Sequence, residues 1–248
     1  MKLKGKTAVI TGAGRGIGRA TALALAKEGC NIVLAAIEAD QVEAVAVEVR
    51  ALGVKALAVQ TDVQHKSQVD ALAQAAFAEF GAVDILVNNA GVAIHNPIPK
   101  IKEEDWDWMM AINLKGTFLC TQAFFQHMCD RRTGHVINIV SRAGKVASAK
   151  FGAYAASKFG MLGFTQTTDA EGIEFGVKAT AVCPGATDTQ QRSDNHIDDH
   201  STLLQPEDIA DYVAFIVTRP ARVYIGEVSP IAQALKPLPG SGYLKPGI

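Results

Sequence analysis

Short apolar runs alternate along this chain with longer stretches whose apolar residues return every three or four positions. Thr7 to Ile10 is a run of the first kind. Residues 16–28 follow, with Ile17, Ala20, Leu23 and Ala24 on one helical face, and Gly29 ends them. So short and apolar a run reads as a strand buried on both faces, and the longer period as a helix packed on it. The alternation continues with strand Asn31 to Ala36, helix 39–52, strand Ala56 to Gln60 and helix 67–80. Strand Ile85 to Val87, one long helix over 104–130, strand His135 to Val140, helix 152–170, strand Lys178 to Cys183 and helix Pro206 to Val217 complete it.

Strand followed by helix throughout predicts parallel strands joined by right-handed crossovers. Two successive βαβαβ halves predict an α/β fold: one domain over 1–248, a doubly wound (Rossmann) parallel sheet flanked by helices. Its ligand crevice is expected at the carboxyl ends of the strands. Residues 186–205 are polar, lack a period and follow a strand end, which makes them a candidate lid. Residues 236–248, with Pro237, Pro239 and Pro246, form a Pro/Gly-rich tail outside regular helix or central strand.

Composition narrows the function more than the fold. A formal net charge of −1 gives no electrostatic footprint for nucleic acid or an anionic membrane. No apolar run is long enough to span a bilayer, and no secretory leader pattern opens the chain. Cys30, Cys120, Cys129 and Cys183 are scattered without metal-type spacing and read as reduced, buried thiols of a cytoplasmic protein. His196-Ile197-Asp198-Asp199-His200 has a metal-like composition, but it sits in the lid without a fixed scaffold. It reads as a solvated acidic loop, and no metal is expected.

The chemistry is concentrated in two places. Thr11-Gly12-Ala13-Gly14-Arg15-Gly16-Ile17-Gly18 joins a strand to a helix. Residues without a Cβ there let backbone approach a pyrophosphate at the free N–H groups of the helix. Further on, Tyr154 and Lys158 lie one turn apart on a helix face, thirteen residues after Ser141. A phenol of pKa about 10 is scarcely ionised near neutrality and so cannot serve as a base there; a neighbouring ammonium is expected to lower that value.

With these residues the chain resembles the short-chain dehydrogenase/reductase family over residues 3–220. The resemblance rests on Thr11–Gly18, Asp62-Val63, Asn88-Asn89-Ala90-Gly91, Asn113 within Ile112-Asn113-Leu114-Lys115-Gly116, Ser141, Tyr154-x-x-x-Lys158 and Pro184-Gly185. It implies a nicotinamide-dependent oxidoreductase with Asn113, Ser141, Tyr154 and Lys158 as catalytic residues. Tyr154 would exchange the proton, Ser141 would hold the substrate oxygen, Lys158 would serve Tyr154 and the ribose, and Asn113 would fix a water relaying protons. Gly12, Arg15, Gly16, Ile17 and Gly18 would hold the pyrophosphate end, and Asp62 and Val63 the adenine. Asn89, Ala90 and Gly91 would border the ribose; Pro184, Gly185 and Thr189 would border the nicotinamide, with Thr187 competing for the last position.

Cofactor choice turns on the end of the second strand. In the resemblance the acid that reads a ribose 2′-hydroxyl falls on Ala36, and Ile37 stands where many NADP users carry Arg. Without that carboxylate a 2′-phosphate is not repelled, and Arg15 is a candidate contact for it. NADP is therefore expected, while Glu38, close enough to take a ribose hydroxyl, keeps NAD open.

The expected substrate is a small or medium carbonyl compound or secondary alcohol. A 3-oxoacyl-[acyl-carrier-protein] reductase is the first alternative. Its acidic partner needs a basic docking surface, to which Arg131-Arg132 would contribute and which Asp169, Glu171 and Glu174 would oppose. That opposition ranks the general carbonyl reductase higher. A non-catalytic dinucleotide-sensing regulator on the same fold, and a dehydratase or epimerase, are further alternatives. His95, near the crevice mouth, reads as an exposed loop histidine. The resemblance implies a homodimer or homotetramer. The segment Ile225 to Pro230 departs from the usual last strand, and Pro230 suggests an edge or a strand end.

Overall fold

The computed structural model describes residues 1–193 and 202–232. Seven strands form one sheet: β1 (Thr7–Thr11), β2 (Asn31–Ala36), β3 (Ala56–Gln60), β4 (Ile85–Asn88), β5 (Gly134–Ile139), β6 (Val177–Val182) and β7 (Glu227–Val228). Their order is β3-β2-β1-β4-β5-β6-β7, and every pair is parallel. The chain winds outward from β1 through β2 to β3, then returns to lay β4 on the other side of β1. The order therefore reverses between β1 and β4, where a doubly wound sheet opens a crevice.

Helices cover both faces: α1 (Gly16–Lys27), α2 (Ala39–Ala51) and α8 (Pro206–Val217) on one, α3 (Lys66–Phe80) and α5 (Gly116–Asp130) on the other. The alternation of side chains along β1 shows how one strand serves two cores. Ala8 and Ile10 pack toward α1, while Val9 packs with Leu72, Leu119 and Phe124 on the opposite face. α6 (Gly152–Gly172) carries Met161 into a third cluster with Val140, Ala181 and Cys183. A buried polar row ties this layer together: Asn88 donates to Asn138 Oδ1 at 2.8 Å, and Asn138 donates to Thr165 Oγ1 on α6 at 2.8 Å.

The expected elements are present within a residue or two at their ends, with one difference of kind. The single helix expected over 104–130 is α4 (Glu103–Met109), a π-helical turn (Met110–Lys115), then α5. The π turn adds a residue to one turn and rotates α5 relative to α4. Its consequence is local: Asn113, inside it, is fully buried.

β7 is a two-residue edge strand, and its continuation stays beside β6 through Pro230, whose carbonyl accepts from Gly185 N at 2.8 Å. Within the expected lid, α7 (Gln190–Ser193) and a single bridge between Thr187 and Leu204 are described. The His196–His200 segment and the 236–248 tail lie outside the described residues. Among those described, no helix is long and apolar enough to cross a membrane, and all four cysteines are free and buried.

Candidate active site

The glycine turn is built by close backbone contact. Gly12 sits at φ +62° and Gly16 at φ +54°, a conformation that side chains disfavour. A Cβ at Gly12 would come within 2.9 Å of Ala90 Cα, and one at Gly18 would strike the Gly12 carbonyl and lie 2.6 Å from Asn89 Nδ2. Gly18 is thus a packing residue beneath the turn. Asn89 and Thr11 stitch β1 to β4 at the crevice: Asn89 Nδ2 donates to the carbonyls of Thr11 and Gly12, both at 3.0 Å. Thr11 Oγ1 accepts from the backbone of Asn89 and Ala90, also at 3.0 Å. The N-terminus of α1 has no side-chain cap and no acid in its first turn, which leaves its N–H groups to an incoming anion.

A cavity of about 900 Å³ runs from this turn to α6. It is large enough for a dinucleotide with a small substrate beside it. Of the residues singled out above for cofactor and chemistry, all line it except Gly18 and Asn113. Arg15 is exposed at its rim, and Asp62 and Val63 form part of its wall. Asp62 also accepts from Gln64 N at 3.0 Å, and Val63 packs so closely on Gly116 that a Cβ there would be 2.7 Å away. Thr187 and Thr189 both line the cavity. Thr187 is buried with its hydroxyl on Gly185 O at 3.2 Å, while Thr189 lies over Gly16.

At the far end Ser141 follows β5, and its Oγ accepts from Ala143 N at 3.1 Å. Tyr154 and Lys158 project from the first two turns of α6 into the same space. The Lys158 ammonium lies 5.8 Å from the Tyr154 ring centroid and donates to Ile139 O at 3.0 Å. Burial pushes Lys158 down to about 8. The expectation that the ammonium lowers the phenol is not met. Burial raises Tyr154 above its ordinary value, and the opposing influence is the hydrogen bond with Ser141.

Asn113 stands behind the cavity wall. Both ends of its carboxamide are taken: Oδ1 accepts from Val92 N at 2.8 Å, and Nδ2 donates to Val92 O at 2.9 Å and Ser157 Oγ at 3.0 Å. The side chain therefore clamps the loop after β4 to α6 and does not face the cavity. Gly91 lies against both groups: a Cβ there would make ordinary contacts, 3.4 Å from Asn113 Oδ1 and 3.5 Å from Lys158 Nζ.

His95 is likewise not an exposed loop residue. It lines the cavity, stacks on Phe151 with centroids 4.0 Å apart, and meets Tyr154 edge-on at 5.9 Å. Phe151, Ser157 and Gly144 were not singled out from the sequence. A Cβ at Gly144 would lie 2.8 Å from Lys158 O, so the turn after Ser141 presses directly on α6.

The two segments weighed for and against an acyl carrier lie elsewhere. Arg131-Arg132 and 169–174 immediately precede β5 and β6, at the amino ends of the strands and away from the cavity. Arg131 donates to Asp84 Oδ1 at 3.2 Å, and Arg132 to Glu174 O at 2.7 Å. Neither segment bears on docking near the crevice. Among the described residues no group of three or more His, Cys, Asp or Glu is placed to hold a metal ion.

The chain is similar to several known proteins. The short chain dehydrogenase family profile matches residues 6–199. A 3-oxoacyl-[acyl-carrier-protein] reductase of Synechocystis sp. is 40% identical, the match covering 90% of this chain and 93% of that protein. The crystal structure of a metagenomic short-chain oxidoreductase in complex with NADP superposes with a TM-score of 0.84 at 35% identity, covering 94% of this chain and 100% of that one. An alcohol dehydrogenase from the archaeon Thermococcus sibiricus, complexed with 5-hydroxy-NADP, superposes at 0.88 with 28% identity, covering 94% and 99%. This chain belongs to the short-chain dehydrogenase family.

Proposed function

We propose that the protein is an NADP-preferring oxidoreductase that interconverts a small or medium carbonyl compound and its secondary alcohol. The observation that carries this reading is the convergence of Ser141, Tyr154 and Lys158 on one end of the cavity whose other end is the glycine turn. A nicotinamide cofactor bound along that cavity would supply or accept the hydride. Gly12, Gly16 and the uncapped start of α1 would hold its pyrophosphate, and Pro184, Gly185 and Thr189 would border its reactive ring. Tyr154, raised by burial, stands protonated at neutral pH and is suited to protonate the oxygen of a carbonyl. Ser141 lines the same end of the cavity as the phenol and is placed to hold that same oxygen. Lys158, buried one turn further along α6 and lining the same cavity, would hold the nicotinamide ribose beside the phenol.

NADPH oxidation should be followed over a panel of ketones, aldehydes and diketones, with Tyr154→Phe beside the wild type. Turnover is expected with some member of the panel, and the variant should lose about a thousandfold while still binding the dinucleotide. Equal activity in Tyr154→Phe would overturn the assignment. A second reading, 3-oxoacyl-[acyl-carrier-protein] reductase, is favoured by the Synechocystis relative of that name. A 3-oxoacyl thioester in the panel separates the two. We also infer a homo-oligomer, supported by Phe118 and Phe159, which stand 41% and 46% exposed on α5 and α6. The free, buried cysteines support a reducing, cytoplasmic setting.

A further inference from the structure

The wall of the cavity between the glycine turn and the start of α2 holds a group that neither the sequence pattern nor the fold accounts for. Gln41, three residues into α2, lays its side chain across Gly14. A Cβ at Gly14 would stand 2.9 Å from Gln41 Cβ and 3.0 Å from its Oε1, so glycine at 14 is what admits the glutamine. Oε1 is buried there and has no hydrogen-bond partner. A buried polar atom left unpaired is destabilising and calls for a reason. The surroundings supply one. Ala36 offers no carboxylate, Ile37 is apolar and half exposed, and Glu38 is exposed and makes no cap bond to α2. Arg15 stands exposed on the same rim.

We propose that Gln41 is the residue that reads the 2′ position of the adenosine ribose: with its carboxamide turned over, so that the amide N–H takes the place of the unpaired Oε1, it donates to a 2′-phosphate while Arg15 supplies the charge. This rests on the reading of the cavity as a dinucleotide site. A carboxamide carries a donor and an acceptor on one planar group, so turning it over exchanges them without changing its shape. Presented as a donor it suits a phosphate, which only accepts. In the orientation seen, with Oε1 unpaired, it accepts from a ribose hydroxyl. The preference it confers is therefore one of degree: NADP bound more tightly, NAD still bound.

The test is fluorescence titration of NADPH and NADH onto the purified protein without substrate, for the wild type, Gln41→Met and Gln41→Glu. Thermal unfolding of each variant verifies that it is folded. Methionine keeps length and bulk but removes the donor, and NADPH affinity should fall about tenfold, as for loss of a hydrogen bond to a charged group. Glutamate adds repulsion, so NADPH should weaken further while NADH changes little and the preference inverts. An unchanged NADPH to NADH ratio in both variants, or an equal fall for both dinucleotides, overturns the inference and leaves the function standing. A wild type that binds NADH more tightly than NADPH also overturns it. Binding of neither dinucleotide by the wild type overturns the underlying reading of the cavity as well.

Discussion

At the amino ends of the strands the carboxylate of Asp84 is buried but surrounded: Thr7 N and Lys6 Nζ donate to it at 3.0 Å and Arg131 Nη2 at 3.2 Å. Burial pushes its carboxyl up, yet those three partners outweigh it and hold the group below the usual carboxylate value. At the carboxyl ends of the same strands Lys158 is buried with one carbonyl and the Met161 thioether as partners, and burial wins. Tyr154 is raised and Gln41 Oε1 is unpaired in the same region. The two ends share strands and core. One spends its polar groups on holding β1, β4 and β5 in register; the other keeps groups whose partners are incomplete, as a site awaiting a ligand must.

The largest change should come where that second end depends on backbone contact alone. Gly18→Ala drives a methyl into the Gly12 carbonyl and against Asn89 Nδ2. Neither can yield without opening the β1 to β4 stitch, so we expect a loss of about 3 kcal/mol, the upper range for an overpacked site. Dinucleotide binding should be lost with it. Urea unfolding together with cofactor titration measures both. A variant that binds normally would show the turn to be pliable and would weaken the contrast between the ends.

How much of this was legible from sequence depends on how local each feature is. Strand and helix order and the glycine turn were readable because their causes lie within a few residues. Ser141, Tyr154 and Lys158 were readable because one loop and one helix carry them. The π turn at Met110–Lys115 left no trace in the apolar period, since widening one turn moves the next face by less than the pattern resolves. Gln41 over Gly14, and His95 on Phe151, join positions far apart in sequence, and such pairings are set by how whole elements pack. The siting of Arg131-Arg132 and 169–174 was available but missed. Whatever directly precedes a parallel strand lies at its amino end, opposite the crevice.

An intermediate effect is expected at the satisfied end. Asp84→Asn keeps the shape but turns an amide donor toward Lys6 and Arg131, and should reduce stability by about 2 kcal/mol. Activity per folded molecule should not change, because the crevice is at the other end of the sheet. The native carboxyl is held below its unfolded value of about 4. Its contribution is therefore complete above that pH and fades as pH falls through the folded value. Unfolding curves of the wild type and Asp84→Asn should accordingly converge in acid. A constant gap down to about pH 2, below the range of an ordinary carboxyl, would mean that the asparagine acts through packing and not through lost charge.

The smallest effect has the opposite sign. Lys158 has a folded pKa of about 8 against an unfolded value near 10.5. The fold thus disfavours the ammonium. The penalty is complete below about pH 8 and fades as pH rises toward the unfolded value. Lys158→Met fills the same space without charge, and at pH 7 it should stabilise the protein by about 1 to 2 kcal/mol while abolishing turnover. Near pH 10.5 the advantage should vanish, because the native lysine is then neutral as well. Thermal unfolding of both proteins at the two pH values reads this directly. Destabilisation of Lys158→Met at pH 7 would mean that Ile139 and Met161 satisfy the ammonium as fully as three donors satisfy Asp84, and the two ends of the sheet would no longer differ.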